Sequence, residues 1–475
     1  MRTYQEYLEK LKSMRPNLHF GGELIRRDDP RLQQSLNNLR LTFDLAEDQK
    51  NAELFIAYSP IISARINRFC HVHNCNEDLL NKQQMTRVAC NHTSSCVQRC
   101  MGVDAFNALS IATYEIDQAK GTEYYQRFKK YEEYFQKGDL VGCCAQTDVK
   151  GDRMLRPYEQ VDKDQYVRII GKTKDGIIVR GAKVNNSAAP IADEIIVIPT
   201  RALGKEDADW AVAFAIPADW DKVHQIVSIA GMRRRKHFPA PIANFGGSHS
   251  LTVFDDALIP WERVFMCGEW EFGGRLAQLF ALYHRHSYTG CKAAVGDMMI
   301  GFAALVAEYN GIGRSQHVRS KLAELISVTE LVYAAGIAAS VNAKPAGPGT
   351  FVPDIVYCNV GRKHAGTHVY REYEILCELA GGLPASIPVE EDFVSPDTGK
   401  FVSKYLRRKD GITPEQQYRC FSAVADIICS EYGTGVRQIA GVHGGGSPIM
   451  EDITILTNYD LNAKKEIAKY LAGIK

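Results

Sequence analysis

Two short segments of this chain combine side chains that suit chemistry better than packing. In Thr93-Ser94-Ser95-Cys96-Val97-Gln98-Arg99-Cys100, two cysteines stand four positions apart. On a helix that spacing puts both sulfurs on one face. Ser94 or Ser95 is a candidate N-cap. A helix start beside Cys96 would favour the thiolate, the form that a soft metal needs. A pair of core cysteines has the same spacing, so this segment alone carries even weight either way. The second segment is His284-Arg285-His286-Ser287-Tyr288-Thr289-Gly290-Cys291-Lys292. It sets His284, Tyr288, Cys291 and Lys292 at i, i+4, i+7 and i+8, a single helical stripe. Imidazole, phenol, thiol and ammonium make a poor ordinary core, and tyrosine and cysteine seldom decorate a purely wet face. His286 points away from the stripe and reads as a bystander.

Together the segments offer Cys96, Cys100, His284 and Cys291 as a metal set. Thiolates are the usual ligands of iron–sulfur clusters. Zinc accepts the same three sulfurs and one imidazole, but its structural sites usually pair cysteines in small ribbons. Here each pair lies in a long helical pattern, and the pairs are almost two hundred residues apart, which favours a cluster buried between helices. A third segment, Ala145 to Arg153, has small hydroxyl and amide groups ahead of a glycine turn. Such groups can bond a flat heteroaromatic ring and its phosphates, though by composition alone a plain surface loop is the better reading. His443-Gly444-Gly445-Gly446-Ser447-Pro448 and the Ala380–Pro384 segment would let backbone approach a pyrophosphate closely. Neither the dinucleotide nor the P-loop glycine fingerprint occurs, which argues against those folds. The basic run Met232 to Lys236 could meet phosphates of a CoA tail, but solvated surface is the commoner reading.

These residues need elements to position them. Residues 1 to about 140 show apolar positions at helical spacing. From 141 to 272 the pattern changes to short β-branched runs with turn residues between, and Lys174-Asp175-Gly176 is a good hairpin turn. From 273 to 475 long helical patterns return. Helices, strands, then helices is the order expected of an α+β chain with a β domain between helical ones.

The bulk numbers agree. At 475 residues the chain needs more than one core, and 45% hydrophobic with 24% charged residues is ordinary for a globular protein. A net charge of +1 gives no field for nucleic acid, and no apolar run is read as a membrane span. The first sixteen residues form an amphipathic pattern ended by Pro16, without a secretory signal, so the expected compartment is the cytoplasm. Thirteen cysteines, an odd number, argue against a disulfide framework. Most, including Cys143, Cys144, Cys358, Cys377, Cys420 and Cys429, read as spectators.

The segments TSSCVQRC, GVDAFNA, TYEIDQ, TDVKGDR, GIIVRGAK, VFDDALIPWERVF, YHRHSYTGCK, LAGGLP, HGGGSP and NAKKEIAK run through almost the whole chain. On them the chain resembles the 4-hydroxybutyryl-CoA dehydratases of the flavin-dependent 4-hydroxyphenylacetate 3-hydroxylase family. The resemblance implies an acyl-CoA dehydrogenase-like fold with an N-terminal helical domain, a flavin-binding β domain and a C-terminal helical bundle. It implies FAD near Thr147, Asp148, Lys150 and Ser187, and a [4Fe-4S] cluster on Cys96, Cys100, His284 and Cys291. It places Tyr288 and Lys292 in the active site, and implies a radical dehydratase acting on a hydroxyacyl-CoA, assembled as a homotetramer of two dimers. Two family glutamates are replaced, one by His249 and one by Ala440. His249 can serve as a base and Ala440 cannot, so the departures bear on the substrate more than on the cofactors. The rival reading is an aromatic hydroxylase like 4-hydroxyphenylacetate 3-monooxygenase, which needs no cluster. A non-enzymatic rival is a redox sensor that keeps the cluster for structure.

Overall fold

The computed structural model describes residues 1–474. Helix α1 (Tyr4–Ser13) starts at a capping box, with Thr3 and Glu6 bonded reciprocally, and buries Tyr7 and Leu11 one turn apart. After Pro16 come two three-residue strands, β1 (Leu18–Phe20) and β2 (Glu23–Ile25), too short for their alternation to show in the sequence. Helices α2 (Gln33–Glu47), α3 (Asn76–Thr93), α4 (Cys100–Lys120) and α5 (Tyr124–Lys137) follow, but between α2 and α3 the expected helical spacing gives way to an antiparallel strand pair, Ile56–Ser59 with Ala64–Asn67.

The next region is strand-rich. It holds β3 (Gly142–Ala145), β4 (Arg168–Lys172), β5 (Gly176–Ser187), β6 (Glu194–Val197), β7 (Val212–Pro217), β8 (Val223–Gly231), β9 (Gly246–Pro260) and β10 (Val264–Cys267). Six strands form one sheet in the order β2-β1-β8-β9-β5-β4, and four form a second in the order β10-β7-β6-β3. The strands β1 and β2 thus leave the helical region and extend the larger sheet, with β1 parallel to β8. The expected hairpin joins β4 to β5, and the Thr173 hydroxyl accepts the amides of Asp175 and Gly176 inside the turn.

The C-terminal region is built on α6 (Trp270–Tyr309), forty residues long. Around it lie α7 (Gln316–Val341), α8 (Ile355–Ala380), α9 (Pro414–Ile428), α10 (Gln438–His443), α11 (Pro448–Asn458) and α12 (Leu461–Ala472). Here one sequence expectation needs correcting. Two helices, α6 and α7, are long and apolar enough to cross a membrane by length and composition. For α6 the cause is its central place: it packs on α3, α4, α7 and α8 at once, so apolar residues are needed on several of its faces, and half of its apolar stretch is buried.

Two close approaches fix the site's frame. A Cβ on Gly102 of α4 would lie 2.7 Å from the Gly142 carbonyl of β3, and one on Gly290 of α6 would lie 2.4 Å from the Gln83 carbonyl of α3. Helix α4 is therefore locked to the sheet, and α3 to α6, at positions where no side chain fits.

Candidate active site

The two chemistry-bearing segments meet where α3, α4 and α6 converge, but the first is not built as expected. Helix α3 ends at Ser94, in the left-handed region at φ 55°, and α4 begins only at Cys100. Gln98 is also left-handed at φ 64°. Cys96 therefore lies in a loop, and Cys100, the first residue of α4, takes the helix start assigned to Cys96. The cause is local: the Thr93 hydroxyl donates to the Ser95 carbonyl at 2.5 Å and accepts the Ser95 amide at 3.2 Å, which competes with helical bonding. The loop is pinned from the C-terminal region, where Tyr432 bonds Ser95 and Arg437 donates to the Ser94 hydroxyl at 3.1 Å.

The loop brings the sulfurs together. The Cys96 sulfur accepts the Gln98 amide at 3.3 Å and packs in one apolar cluster with Cys100, Cys291 and Cys90. The neighbouring thiols of Cys100, Cys291 and Cys90 and the amide hold the Cys96 thiol well below its ordinary range. Interaction with Cys96, together with burial, pushes Cys100, Cys291 and Cys90 well above it.

His284 completes the set. Its ring stacks on Phe280 with 5.6 Å between centroids, and its Nδ1 bonds Asp104 at 3.0 Å. Asp104 also accepts Lys82 Nζ at 3.0 Å and the Ser287 hydroxyl at 2.9 Å. Burial raises the Asp104 carboxyl, but the Lys82 charge and the His284 bond outweigh it and leave the carboxyl below its usual range. Donor atoms of Cys100, Asp104 and His284 lie within 4.8 Å of one another. With three partners of its own, Asp104 is better placed to orient His284 than to hold a metal itself. It fixes Nδ1 and leaves Nε2 free, the arrangement common behind metal-binding histidines. His286 is a core residue: its Nε2 bonds the Ser340 hydroxyl at 2.7 Å, and burial lowers its pKa well below the ordinary value.

Tyr288 and Lys292 follow on the same stripe, and both are already partnered. The Tyr288 hydroxyl donates to the Gly441 carbonyl at 2.8 Å, with the Arg362 guanidinium 4.3 Å from its ring centre. Lys292 pairs with the buried Glu372. Arg362 donates to the carbonyls of Val442 and Gly444 at 2.7 and 2.8 Å, and its Nε lies 3.5 Å from Glu451. Arg285 donates to the Gly445 carbonyl at 2.9 Å. The glycine loop therefore packs on the donor site: a Cβ on Gly445 would lie 3.7 Å from the His284 ring. Ser447, by contrast, is exposed.

The sheet supplies the other candidates. His249 of β9 and Ser187 of β5 are cross-strand partners, and His249 Nδ1 bonds the Ser187 hydroxyl at 3.1 Å. His249 Nε2 is buried and has no partner among the described residues. Burial lowers the His249 pKa, and the nearby Cys96 charge opposes this. Asp148 is buried and paired with Lys183 at 2.8 Å, so its carboxylate is already engaged, and the Thr147 carbonyl accepts the Val184 amide at 2.8 Å. Lys150 is half-buried, and its pKa is lowered by burial and then by Arg153. Lys183 and Arg201 add to the same effect.

The sequence reading passes over Asp104, Lys82, Cys90, Arg362, Glu372 and Glu451. Asp104 had a signal, since it follows Cys100 by one helical turn. Lys82, Glu372 and Glu451 had none, because their partners are distant in sequence.

Convergent thiols, an oriented imidazole and a second imidazole with a buried free nitrogen, all at the seam of bundle and sheet, define an enzyme of mixed α and β class. Comparison with known proteins gives its relatives. The models for the N-terminal and C-terminal parts of 4-hydroxyphenylacetate 3-hydroxylase match residues 3–266 and 274–473. The chain is 38% identical to the 4-hydroxybutyryl-CoA dehydratase/vinylacetyl-CoA-Δ-isomerase of Clostridium aminobutyricum over the full length of both. It is 29% identical to the oxygenase component of 4-hydroxyphenylacetate 3-monooxygenase from Thermus thermophilus, over 92% of this chain and 90% of that one. Among solved structures, the oxygen-tolerant archaeal 4-hydroxybutyryl-CoA dehydratase of N. maritimus superposes with a TM-score of 0.95 at 34% identity, covering 100% of this chain and 95% of that one. A mutant 4-hydroxyphenylacetate 3-monooxygenase oxygenase complexed with FAD superposes with a TM-score of 0.90 at 26% identity, covering 100% and 99%. The chain belongs to the 4-hydroxyphenylacetate 3-hydroxylase family and stands with its 4-hydroxybutyryl-CoA dehydratases.

Proposed function

We propose that this protein is a FAD- and [4Fe-4S]-dependent hydro-lyase that dehydrates a hydroxyacyl-CoA thioester, with Cys96, Cys100, His284 and Cys291 as cluster ligands. The observation that carries this is the convergence of three thiols beside an imidazole whose Nδ1 is already taken by Asp104. That donor set fits a cluster: it is soft, with Cys100 buried and Cys96, Cys291 and His284 half-buried beside it, and each residue offers one ligand atom. For the flavin, the support is the cationic group of Lys150, Arg153, Lys183 and Arg201 around one engaged carboxylate, which suits a pyrophosphate. His249, with its unpartnered nitrogen beside Ser187, suits a flat ring.

In the family reaction water leaves across the β and γ carbons, and the β hydrogen of such a thioester is not acidic enough for any side-chain base near neutral pH. When bound, the flavin supplies one-electron chemistry and the cluster a Lewis-acidic iron. The chain's residues handle protons and position. His249, kept neutral by burial, takes the α proton at Nε2 while Ser187 holds Nδ1. His284 has only Nε2 to offer, to the metal and to a proton. Tyr288 and Lys292 steady oxygen charge as donors, and each does so by exchanging its present partner, the Gly441 carbonyl or Glu372. The glutamate absent at Ala440 leaves His249 as the base of this pair, so the substrate is a related hydroxyacyl-CoA or one with another leaving group. Exposed apolar side chains on α7 (Ile326, Leu331, Ile337, Val341) and α8 (Tyr357, Val360, Tyr370) support assembly with further copies of the chain as a tetramer.

The test is anaerobic purification followed by iron, sulfide and flavin analysis, an absorption spectrum, and turnover on a panel of hydroxyacyl-CoA thioesters. Broad absorbance beyond the flavin bands with thioester turnover is expected. Iron-free protein that hydroxylates a phenol with reduced flavin and oxygen would establish the aromatic hydroxylase instead.

A further inference from the structure

By composition the basic run Met232 to Lys236 is solvated surface, yet its backbone is tied down at every turn. The run opens the loop between β8 and β9, and one side-chain amide closes the neck of that loop. Gln34 of α2 donates to the carbonyls of Met232 and Ala243 at 2.9 and 2.8 Å. Beyond the neck, Arg235 pairs with Asp426 of α9 and donates to the Ser422 carbonyl at 3.0 Å. The Glu390 carboxylate accepts the successive amides of Lys236, His237 and Phe238. Phe238 is buried against Phe393 and Tyr418, with ring centres 5.0 and 5.2 Å away.

This fixed loop carries four cations in succession, and Arg235 alone of the four is ion-paired among the described residues. Arg233, Arg234 and Lys236 are exposed, and Arg234 reaches only the Pro30 carbonyl, at 3.4 Å. Like charges held side by side repel, so an anion is what such a loop is short of. Arginine forks beside a lysine suit phosphate oxygens. Position names the phosphate. His249 stands opposite Ser228 on β8, and Gly246 stands opposite Gly231. Arg233 lies five residues beyond Ser228, at most about 17 Å of extended strand. A thioester whose α carbon meets His249 Nε2 must send its pantetheine arm out to its nucleotide. That arm is about as long as four residues of extended chain, roughly 14 Å, so the run stands within its reach. We propose that Arg233, Arg234 and Lys236 bind the phosphates of the CoA nucleotide, so that the loop grips the far end of the substrate while β9 presents His249 to the near end. This rests on the function proposed above and gives its substrate an anchor. The cationic group around Lys150 is left to the pyrophosphate of the flavin.

The experiment uses the full-length protein purified without oxygen, as wild type and as the triple variant Arg233→Gln, Arg234→Gln, Lys236→Gln. CoA, dephospho-CoA and pantetheine are titrated into each by calorimetry, and FAD per chain is measured. Three exposed charge contacts together are worth about tenfold in affinity. The triple variant should bind CoA more weakly by that factor and pantetheine as wild type does, with dephospho-CoA between them. Added salt should narrow the gap between the two proteins. Equal CoA affinity in the two proteins would overturn the proposal. A loss for pantetheine as large as that for CoA would overturn it too, since it would put the effect in the shape of the pocket. Loss of FAD from the triple variant would assign the run to the flavin instead. Wild type that binds no CoA would sink the proposed function and this inference with it, a result distinct from the other three.

Discussion

Asp104 offers the sharpest test of how the site is built. It is fully buried, and its two oxygens serve Lys82, Ser287 and His284 at 2.9 to 3.0 Å. Asp104→Asn keeps the shape and removes the charge, so Lys82, itself fully buried, loses its counter-ion. Breaking a buried ion pair from one side costs about 3–5 kcal/mol, a large part of a stability that is about 5–15 kcal/mol in most domains. The midpoint of urea unfolding of cofactor-free protein, followed by circular dichroism, should fall accordingly. The same variant loosens His284, and losing such an outer partner typically weakens metal binding about tenfold to a hundredfold. These two effects separate in the double variant Lys82→Met with Asp104→Asn. With both charges gone, stability should return to within about 1 kcal/mol of wild type, while iron retention against a chelator stays impaired. If Asp104→Asn costs less than about 1 kcal/mol, the ion pair does not have the weight assigned to it. If the double variant regains iron as well as stability, Asp104 is not what orients His284.

Three further outcomes follow from named contacts. His284→Ala should abolish thioester turnover while the far-ultraviolet dichroism stays near wild type, and retained turnover would remove His284 from the mechanism. Gly102→Ala would set a methyl 2.7 Å from the Gly142 carbonyl, so thermal unfolding should show a loss of about 1–3 kcal/mol, and an unchanged midpoint would mean that α4 and β3 part easily. Glu194, buried against Tyr131, Tyr134 and Arg263, has its carboxyl pushed up by burial from 4.5 to about 7, with Arg263 opposing. The folded state then binds this proton more tightly than the unfolded one, so its contribution of about 3 kcal/mol is full below the unfolded value and is lost as pH rises through the folded one. Glu194→Gln should therefore flatten the fall in urea midpoint between about pH 5 and pH 8, and parallel curves for the two proteins would refute the shift.

The parts legible in the sequence were those whose information is periodic. The stripe of His284, Tyr288, Cys291 and Lys292 lies within a single helix, so its spacing survives folding unchanged. The Lys174–Gly176 turn was legible for the same reason. The Cys96 segment misled because helical spacing was read across Ser94 and Gln98, whose left-handed backbone is set by bonds that propensity does not register. The pairing of β1 with β8 joins residues about two hundred positions apart. The pairs Lys82–Asp104, Lys292–Glu372 and Arg362–Glu451 exist only once separate helices have docked. The apolar lengths of α6 and α7 were underread because charged residues punctuate them.

The loop that carries Cys96 leans on Tyr432 and Arg437, and its sulfurs face an imidazole nearly two hundred residues later. A ribosome must release almost the entire polypeptide before the last wall of that chamber exists. If the proposed cluster is held there, its assembly is consequently a finishing operation, because nascent fragments lack the receptacle.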